Sequence, residues 1–199
     1  MTQLSARDRI LEVAKRLFYR DGFRATGIDR IVAESGVAKM SLYRHFPSKN
    51  DLIAAFLAWR HEHWMGWFTG AVERRFAAGA ELAVIADALG EWFEQEDFRG
   101  CAFINSVAET GATEDALHLR QAVVHKQGLE EYIAALAGRL GLEAPERVAQ
   151  EAMLCVEGMI VRAQMTRDAA VVEAGRRLLA RIEQGARPAR RRRTAARPD

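Results

Sequence analysis

Cysteine, proline and long apolar runs are all scarce in this 199-residue chain. Its two cysteines, Cys101 and Cys155, are too few for a disulfide framework or a four-cysteine zinc site. Four prolines and fifteen glycines exclude a collagen-like or broadly disordered chain. No apolar run approaches the roughly 20 residues that span a bilayer, and the N-terminal segment lacks the apolar block of a signal peptide. We therefore expect a cytoplasmic, mostly reduced protein.

The net charge of +2 conceals an uneven distribution of charge along the chain. Residues 1–50 have a balance of +5, residues 51–185 a balance of −8 and residues 186–199 a balance of +5. Basic ends around an acidic body indicate that only part of the chain faces a polyanion such as nucleic acid. The alternative is a charged face that only contacts solvent.

Apolar residues recur at helical spacing through almost the whole chain, and no segment alternates in the manner of a half-buried strand. Gly22, Gly36 and Pro47 predict the ends of the first three short helices. Thr26 with Asp29 predicts a capping box for the second helix, as does Ser48 with Asp51 for a long fourth helix. Further helices are predicted near residues 81–96, 102–111, 114–139, 145–164 and 167–184. The predicted fold is all-α, with about nine helices.

The first three helices have the layout of a helix-turn-helix DNA-binding domain. Two short helices meet at a Gly-containing turn and are preceded by a packing helix. The second of the pair must project from the domain to enter the major groove. We expect a small core of Ile31, Val37, Leu42 and Phe46. The outer face of the third helix then carries polar and basic residues and one methionine: Lys39, Met40, Ser41, Tyr43, Arg44 and His45.

The run GFRATGIDRIVAESGVAKMSLYRHFPSKNDLIAAF resembles the N-terminal domain of the tetracycline-repressor (TetR) family of bacterial transcription regulators, which includes AcrR-like proteins. The matching features are the aromatic after the Gly of the first turn, Thr26, the Ile-x-x-x-x-Gly-Val step, the Leu-Tyr-Arg-His-Phe block and the Ser-Lys pair before the fourth helix. The resemblance covers about residues 7–57. It implies a helix-turn-helix domain at residues 1–47 and a ligand-binding and dimerisation domain at residues 48–185. Residues 186–199 are predicted to form a disordered basic tail, because they have almost no apolar side chains to bury.

By position, the resemblance implies phosphate contacts for Tyr43, His45 and Lys49, and a role for Thr26 in anchoring the second helix to the DNA backbone. Lys39, Met40, Ser41 and Arg44 fall where the family reads bases. An arginine can bond a guanine through two hydrogen bonds, and a methionine can contact a thymine methyl. Packing of the Tyr43 ring and helix capping by His45 are the alternatives. Three positions depart from the family: Gly27 and Ala38 replace hydroxyl residues, and Met40 replaces a common glycine.

The resemblance implies a homodimer built on the last two helices and a small-molecule pocket in each body. We expect the dimer face at Val148, Ala152, Cys155, Met159 and Ala163, with Val171, Val172, Leu178, Leu179 and Ile182 opposite. These stripes can instead face the core of one subunit. The expected effector is largely apolar. Its pocket is expected to be lined by aromatic residues, which can instead be ordinary core residues: Trp64, Trp67, Phe68, Trp92, Phe93 and Phe103.

A polar set on two later helices is the only candidate for other chemistry. Asn105 and Glu109 share one helix face, and His118 and His125 share another. Asn105, Glu109 and His125 can hold a polar ligand or a divalent metal if the helices face each other, or form a buried hydrogen-bond network. His61 and His63 are predicted at the surface.

The predicted function is a ligand-responsive regulator, most simply a repressor. It binds a palindromic double-stranded DNA operator as a homodimer, and a small molecule releases it. No cofactor, resident metal or membrane partner is expected, and no sequence motif indicates an enzyme. The alternatives are a helical adaptor that binds another protein, and a metal-dependent enzyme that uses Asn105, Glu109 and His125.

Overall fold

The computed structural model describes residues 4–114 and 116–188. Side chains are described for these residues except 110–114 and 116. This part of the chain forms nine α-helices and no strand, so the prediction of an all-α fold is confirmed. Most of the predicted tail lies outside the described residues. The helices are α1 Ala6–Asp21, α2 Ile28–Ser35, α3 Lys39–His45, α4 Lys49–Ala78, α5 Val84–Phe93, α6 Ala102–Glu114, α7 Ala116–Arg139, α8 Pro145–Thr166 and α9 Ala170–Gly185.

Helices α1, α2 and α3 pack around the small core that the sequence predicts. Ile31, Val37, Leu42 and Phe46 are all buried. The chain leaves α2 at Gly36 with a φ of 62°, a left-handed conformation that glycine adopts without the strain of a side chain. Helix α3 begins after Ala38, which provides no side-chain cap. The loop geometry therefore presents α3 as a short projecting helix.

The two predicted capping boxes have different outcomes. Ser48 and Asp51 form theirs at the start of α4: the Ser48 hydroxyl accepts the Asp51 N–H at 3.1 Å, and the Asp51 carboxylate accepts the Ser48 N–H at 2.9 Å. The box predicted for Thr26 and Asp29 is wrong. Helix α2 begins after Gly27, and the buried Thr26 hydroxyl donates backwards to the Gly22 carbonyl oxygen at 2.7 Å.

Helices α4 to α9 form the body, and α4 runs without a break from the head into it. Helices α8 and α9 approach closely at Gly175, where a Cβ atom would overlap the sulfur of Met159. Helix α5 begins at Val84, three residues later than predicted, because the Glu183 carboxylate of α9 accepts the Leu82 N–H at 2.6 Å. Within the described ranges, no helix is both long enough and apolar enough to cross a bilayer.

Candidate DNA interface and body cavity

The outer face of α3 is exposed. Met40 is 81% exposed and Tyr43 39% exposed. The Lys39 ammonium pairs with the exposed Asp29 carboxylate at 2.7 Å, and the Arg44 guanidinium donates to the Ser41 hydroxyl at 3.2 Å. These are surface interactions, which add little to stability. Lys39 and Arg44 can therefore exchange their present partners for DNA without loss of the fold, and the exposed Met40 and Tyr43 side chains are open to contact with DNA.

Other arginines of the head are paired with carboxylates of the head. Arg20 and Arg30 both donate to the Asp21 carboxylate, at 2.7 and 2.9 Å, and Arg16 and Arg30 both reach Glu34. These bonds, that from Arg20 above all, lower the pKa of Asp21 to about 2. The basic balance of residues 1–50 is thus partly neutralised away from α3.

Three residues predicted to contact DNA, Thr26, Lys49 and His45, lie deeper than the outer face of α3. The Thr26 side chain is completely buried, and its hydroxyl donates to the Gly22 and Leu17 carbonyl oxygens inside the head, at 2.7 and 3.4 Å. That Thr26 anchors α2 to the DNA backbone stays a prediction. Lys49 is half-buried at the start of α4, and burial lowers its pKa while the Glu109 carboxylate opposes that shift. His45 is also half-buried, beside the exposed Arg44.

The head contacts the body through α4, where Phe18 meets Phe56 with ring centroids 5.9 Å apart, and through α6 and the loop before it. The Glu109 carboxylate accepts the Arg24 N–H at 2.9 Å. The Tyr19 hydroxyl donates to the Gly100 carbonyl at 3.0 Å and accepts the Arg99 N–H at 3.1 Å. A polar cleft of about 370 Å³ lies between these contacts. A movement of α6 would therefore displace or break the hydrogen bond between Glu109 and the turn that joins α1 and α2.

Four of the six aromatic residues predicted to line the pocket, Trp64, Phe68, Trp92 and Phe103, lie together in the body. They pack as its core and leave no open pocket between them. Trp64 stacks on Phe68 with ring centroids 4.8 Å apart and meets the edge of Trp92 at 5.3 Å. Phe103 and Trp92 are both buried. The cavity that Trp64, Trp92 and Phe103 line has a volume of about 10 Å³, too small for a useful ligand and marginal for one water. The pocket is closed in this conformation.

Trp67 and Phe93 lie outside that cavity. Trp67 is half-buried beside Trp64, and Phe93 lines a separate cleft of about 160 Å³ near Val172. The six candidate pocket residues therefore do not line one cavity in this conformation, and their contact with an effector stays a prediction. Phe93 is adjacent to Trp92 and therefore points about 100° away from it around α5. Trp67 is one turn from Trp64 and its ring contacts the Trp64 ring from outside the cavity.

The predicted grouping of Asn105, Glu109 and His125 is wrong. Positions 103 and 105 differ by about 200° around a helix, so Phe103 and Asn105 face opposite sides of α6. Asn105 and Glu109 face the head, where Asn105 donates to the Arg99 carbonyl at 3.0 Å. His125 instead stacks on Phe103, with ring centroids 3.9 Å apart. The set cannot hold one ligand or metal.

His125 forms a histidine pair with His61, whose predicted surface position is wrong. The two Nδ1 atoms are 3.1 Å apart, and His61 is half-buried. Burial, followed by the positive charges of Lys126, His61 and Arg60, lowers the pKa of His125 to about 3. His118, also buried, lies with Nε2 3.4 Å from the Asn50 carbonyl oxygen. Among the described residues no cluster of three or more His, Cys, Asp or Glu side chains can hold a metal.

Nothing in the sequence pattern indicates Arg60 and Lys126 at this cavity, or His61 beside His125. Arg60 and Lys126 line it together with His125. They come from α4 and α7, and no local pattern signals a contact between residues more than sixty positions apart. Only the helical spacing from Arg60 to Trp64, one turn along α4, connects one of them to a predicted pocket residue.

The expected dimer stripe on α8 lies mostly in the core of one subunit. Val148, Ala152, Met159 and Ala163 are buried there, and only Cys155 is partly open. A second stripe, which the sequence analysis missed, faces outwards at spacings of four, three and four residues. It consists of Leu154, Gly158, Val161 and Met165, with Leu154 75% and Met165 78% exposed. With Leu178 and Ala174 of α9, part of this stripe lines an apolar groove of about 440 Å³.

Comparison with known proteins supports a relationship in both parts of the chain. The family model "Bacterial regulatory proteins, tetR family" matches residues 10–56. The regulator LmrA of Bacillus subtilis (strain 168) is 43% identical over 54 residues, which are 27% of this chain and 29% of LmrA. The match to this relative thus spans less than a third of its length. AcrR of Shigella flexneri is 27% identical over 179 residues, covering 85% of this chain and 73% of AcrR.

A solved structure extends the similarity through the body. SCO4454 of Streptomyces coelicolor, a TetR-family transcriptional regulator, superimposes with a TM-score of 0.78 at 26% identity, covering 91% of this chain and 95% of that one. The helix-turn-helix head and the nine-helix arrangement match together. Residues 10–56 thus match the DNA-binding domain of TetR-family regulators, and the fold over most of the chain resembles that of a solved TetR-family regulator.

Proposed function

We propose that this protein is a ligand-responsive repressor that binds a palindromic operator as a homodimer and is released by a small molecule. In this proposal residues 1–47 read DNA, and residues 48–185 bind the effector and dimerise. The single observation that carries it is the exposed face of α3. There Lys39, Met40, Tyr43 and Arg44 contribute nothing to the core of the head, and the two cations make only surface contacts. The match of residues 10–56 to the family model of bacterial regulatory proteins supports it.

On the operator, α3 lies in the major groove. Arg44 bonds a guanine, Met40 contacts a thymine methyl, and Lys39 and Ser41 reach neighbouring base edges. Tyr43, His45 and Lys49 contact phosphates, which position the head without reading sequence. Lys39 must exchange Asp29 for DNA, so part of its binding energy is offset by the lost ion pair.

The outward apolar stripe of α8 and the neighbouring α9 form the dimer face in this proposal. A four-helix contact between two copies would cover Leu154, Met165 and Leu178, which are exposed in one subunit. A twofold axis there carries two heads, whose reading helices must lie about 34–36 Å apart to fit successive turns of the major groove. Operator palindromy follows from that symmetry.

Effector binding opens the closed aromatic cavity and moves α6, whose Phe103 is part of the cavity wall. Glu109 lies on the same helix and bonds the Arg24 N–H of the head, and α4 connects Trp64 to the Ser48 cap. Both routes change the separation of the two heads. The effector must prefer the conformation that binds DNA poorly, and DNA then weakens effector binding by the same factor.

Selection of bound sites from random duplex DNA tests the DNA-binding half of the proposal. We expect the wild-type protein to enrich one palindrome, and Arg44→Ala to lose about 1–3 kcal/mol of binding to it, with relaxed preference at one base pair in each half-site. Arg74→Ala is the matched control, because Arg74 is exposed on α4, away from α3, and pairs with Glu91 only at 3.8 Å.

Both variants should have the same thermal unfolding midpoint as the wild-type protein, since neither side chain is buried. Enrichment of no sequence by a folded dimer, both before and after unfolding and refolding to remove a bound ligand, would contradict the proposal. Equal enrichment by Arg44→Ala would contradict the assignment of Arg44.

A further inference from the structure

The closed aromatic cavity adjoins an open apolar groove on the outer face of the body. The groove, of about 530 Å³, lies between α6 and α7, with Ile104, Val107 and Val123 in its wall. Phe103 and Lys126 belong to both the groove and the closed cavity. These two side chains are therefore the partition between solvent and the aromatic centre, and a ligand that moves them reaches the cavity directly.

Stacking on the His125 ring holds Phe103 in its place between the groove and the cavity. Its ring stacks on the His125 ring with 11° between the planes and 3.9 Å between the centroids. A planar aromatic ligand offers the same stacking surface to His125 as Phe103 does. Displacement of Phe103 by such a ligand thus exchanges one stacked pair for another and fills the space that opens.

The charges around the cavity have one sign. Arg60 and Lys126 line it, and no Asp or Glu is among its lining residues. The charges of Lys126 and Arg60 both act to keep His125 unprotonated, which indicates a positive potential at that ring. The nearest carboxylates belong to the groove: Glu157 pairs with Lys126 at 3.2 Å, and Glu130 lines the outer wall.

Two buried donors at the cavity make no hydrogen bond to the described residues: the Lys126 ammonium, which has only its ion pair with Glu157, and the Trp64 indole N–H. The indole N–H of Trp64 is buried and makes no hydrogen bond within the described part of the chain. The Trp64 ring is only 6% exposed, so water does not replace the missing acceptor at low cost. A ligand with an oxygen acceptor can satisfy this N–H, whereas a purely apolar or cationic ligand leaves it buried and unbonded.

We propose that the effector of this protein is an aromatic anion, such as an aromatic carboxylate, which enters between α6 and α7, stacks on His125 and places its negative group between Lys126, Arg60 and the Trp64 N–H. This inference rests on the proposed function, because it names the chemical class that the effector pocket accepts. It selects against the aromatic cations that a cavity lined with carboxylates would favour.

Three matched probes separate charge from shape: 1-naphthoate, naphthalen-1-ylmethanol and naphthalen-1-ylmethylammonium, each titrated into the full chain by calorimetry. We expect the anion to bind more tightly than the alcohol, and the ammonium to bind most weakly. Lys126→Gln should weaken naphthoate binding by about tenfold to a hundredfold, the effect of a lost charge-assisted hydrogen bond, and change binding of the alcohol by only about threefold or less. Glu157→Gln, which frees Lys126 from its partner, should leave naphthoate binding unchanged or strengthen it.

Trp64→Phe keeps an aromatic ring and removes the N–H, so it should weaken naphthoate binding, whereas Trp67→Phe, outside the cavity, serves as its control. Tighter binding of the ammonium, no binding of naphthoate at millimolar concentration, or equal effects of Lys126→Gln on the anion and the alcohol would each overturn the inference. Operator binding by the unliganded protein is measured in parallel. Its loss contradicts the proposed function, while intact operator binding together with any of the three adverse results contradicts the ligand class alone.

Discussion

Single side chains in the body serve two purposes, and the pair of His61 and His125 is the clearest case. His125 is 3% exposed, stacks on Phe103 and accepts or donates one hydrogen bond to His61. The positive charges of Arg60 and Lys126 nearby oppose a proton on it. The ring is therefore a neutral part of the core and at the same time a flat wall for the closed cavity.

The neutral state of His125 makes stability depend on pH. Its pKa is about 3 in the folded protein and 6.5 in the ordinary, unfolded state. Between these values a falling pH adds a proton to the unfolded chain alone, so the free energy of unfolding decreases as pH falls below 6.5. We expect His125 to account for a loss of about 1 kcal/mol between pH 7 and pH 5.5, measured by urea unfolding at constant protein concentration.

His125→Phe should remove that share of the pH dependence, whatever it does to stability at pH 7. His63→Gln is the control, because His63 is exposed and its ring only stacks on Trp59. An identical pH slope in the wild-type protein and His125→Phe would show that His125 titrates normally in the folded state.

Helix periodicity and caps were readable from the sequence because they depend on neighbours within one turn. The order of the nine helices, the core of the head and the Ser48 cap were all predicted. The Thr26 cap failed because its hydroxyl has a competing local acceptor, the Gly22 carbonyl oxygen four residues back. The start of α5 failed at a tertiary contact, the hydrogen bond from the Leu82 N–H to the Glu183 carboxylate of α9. A helix pattern shows which residues share a face, but it does not show which neighbour that face meets.

Helix α6 illustrates this limit, since its two faces contact different parts of the molecule. Phe103 faces the aromatic cavity, whereas Asn105 and Glu109 face the cleft at the head. The sequence showed that Asn105 and Glu109 share a face, and the structure places that face against the α1–α2 turn instead of against α7. Helix α6 is thus one physical connection between cavity and head, beside the direct contact of Arg60 with the Tyr19 ring.

Removal of the Glu109 carboxylate should loosen the head at that connection. Glu109→Ala leaves the Arg24 N–H without its acceptor, and we expect hydrogen exchange in residues 22–27 to accelerate by about tenfold, as one lost hydrogen bond implies. Glu109→Gln keeps an acceptor oxygen and should show a smaller change. Glu94→Ala, an exposed carboxylate at the end of α5, is the control. Unchanged exchange in Glu109→Ala would mean that the head is held elsewhere, for example through Tyr19.

The folded chain has two apolar surfaces that one subunit leaves uncovered. One is the groove between α6 and α7, next to the closed cavity. The other is the outward stripe of α8 with Leu178 of α9. Helix α8 is apolar on both its inner and outer faces, and a helix with two apolar faces is stable in water only when both are covered. The inner face is covered by the body, and in the proposed homodimer a second copy covers the outer one.

Charge at the centre of that outer stripe should separate the two copies. With Leu154→Glu and Leu178→Glu combined, repulsion and desolvation of four carboxylates across the twofold axis oppose association. We expect sedimentation to show a change from a dimer of 22.3 kDa chains to a single chain. Helical content should stay unchanged, because both leucines are exposed in one subunit. Operator affinity should fall with dimerisation, since two linked heads bind two half-sites far more tightly than one.

Leu119→Glu provides the control, because Leu119 is an exposed leucine on α7, outside both helices of the stripe. It should sediment with the wild-type protein and bind the operator equally well. A double variant that remains dimeric would move the interface to another face of the body, where the groove between α6 and α7 is the next apolar surface. In that case the α6–α7 groove would be covered in the dimer, so an effector could not enter there, and the dimer face and the path to the cavity would both have to be reassigned.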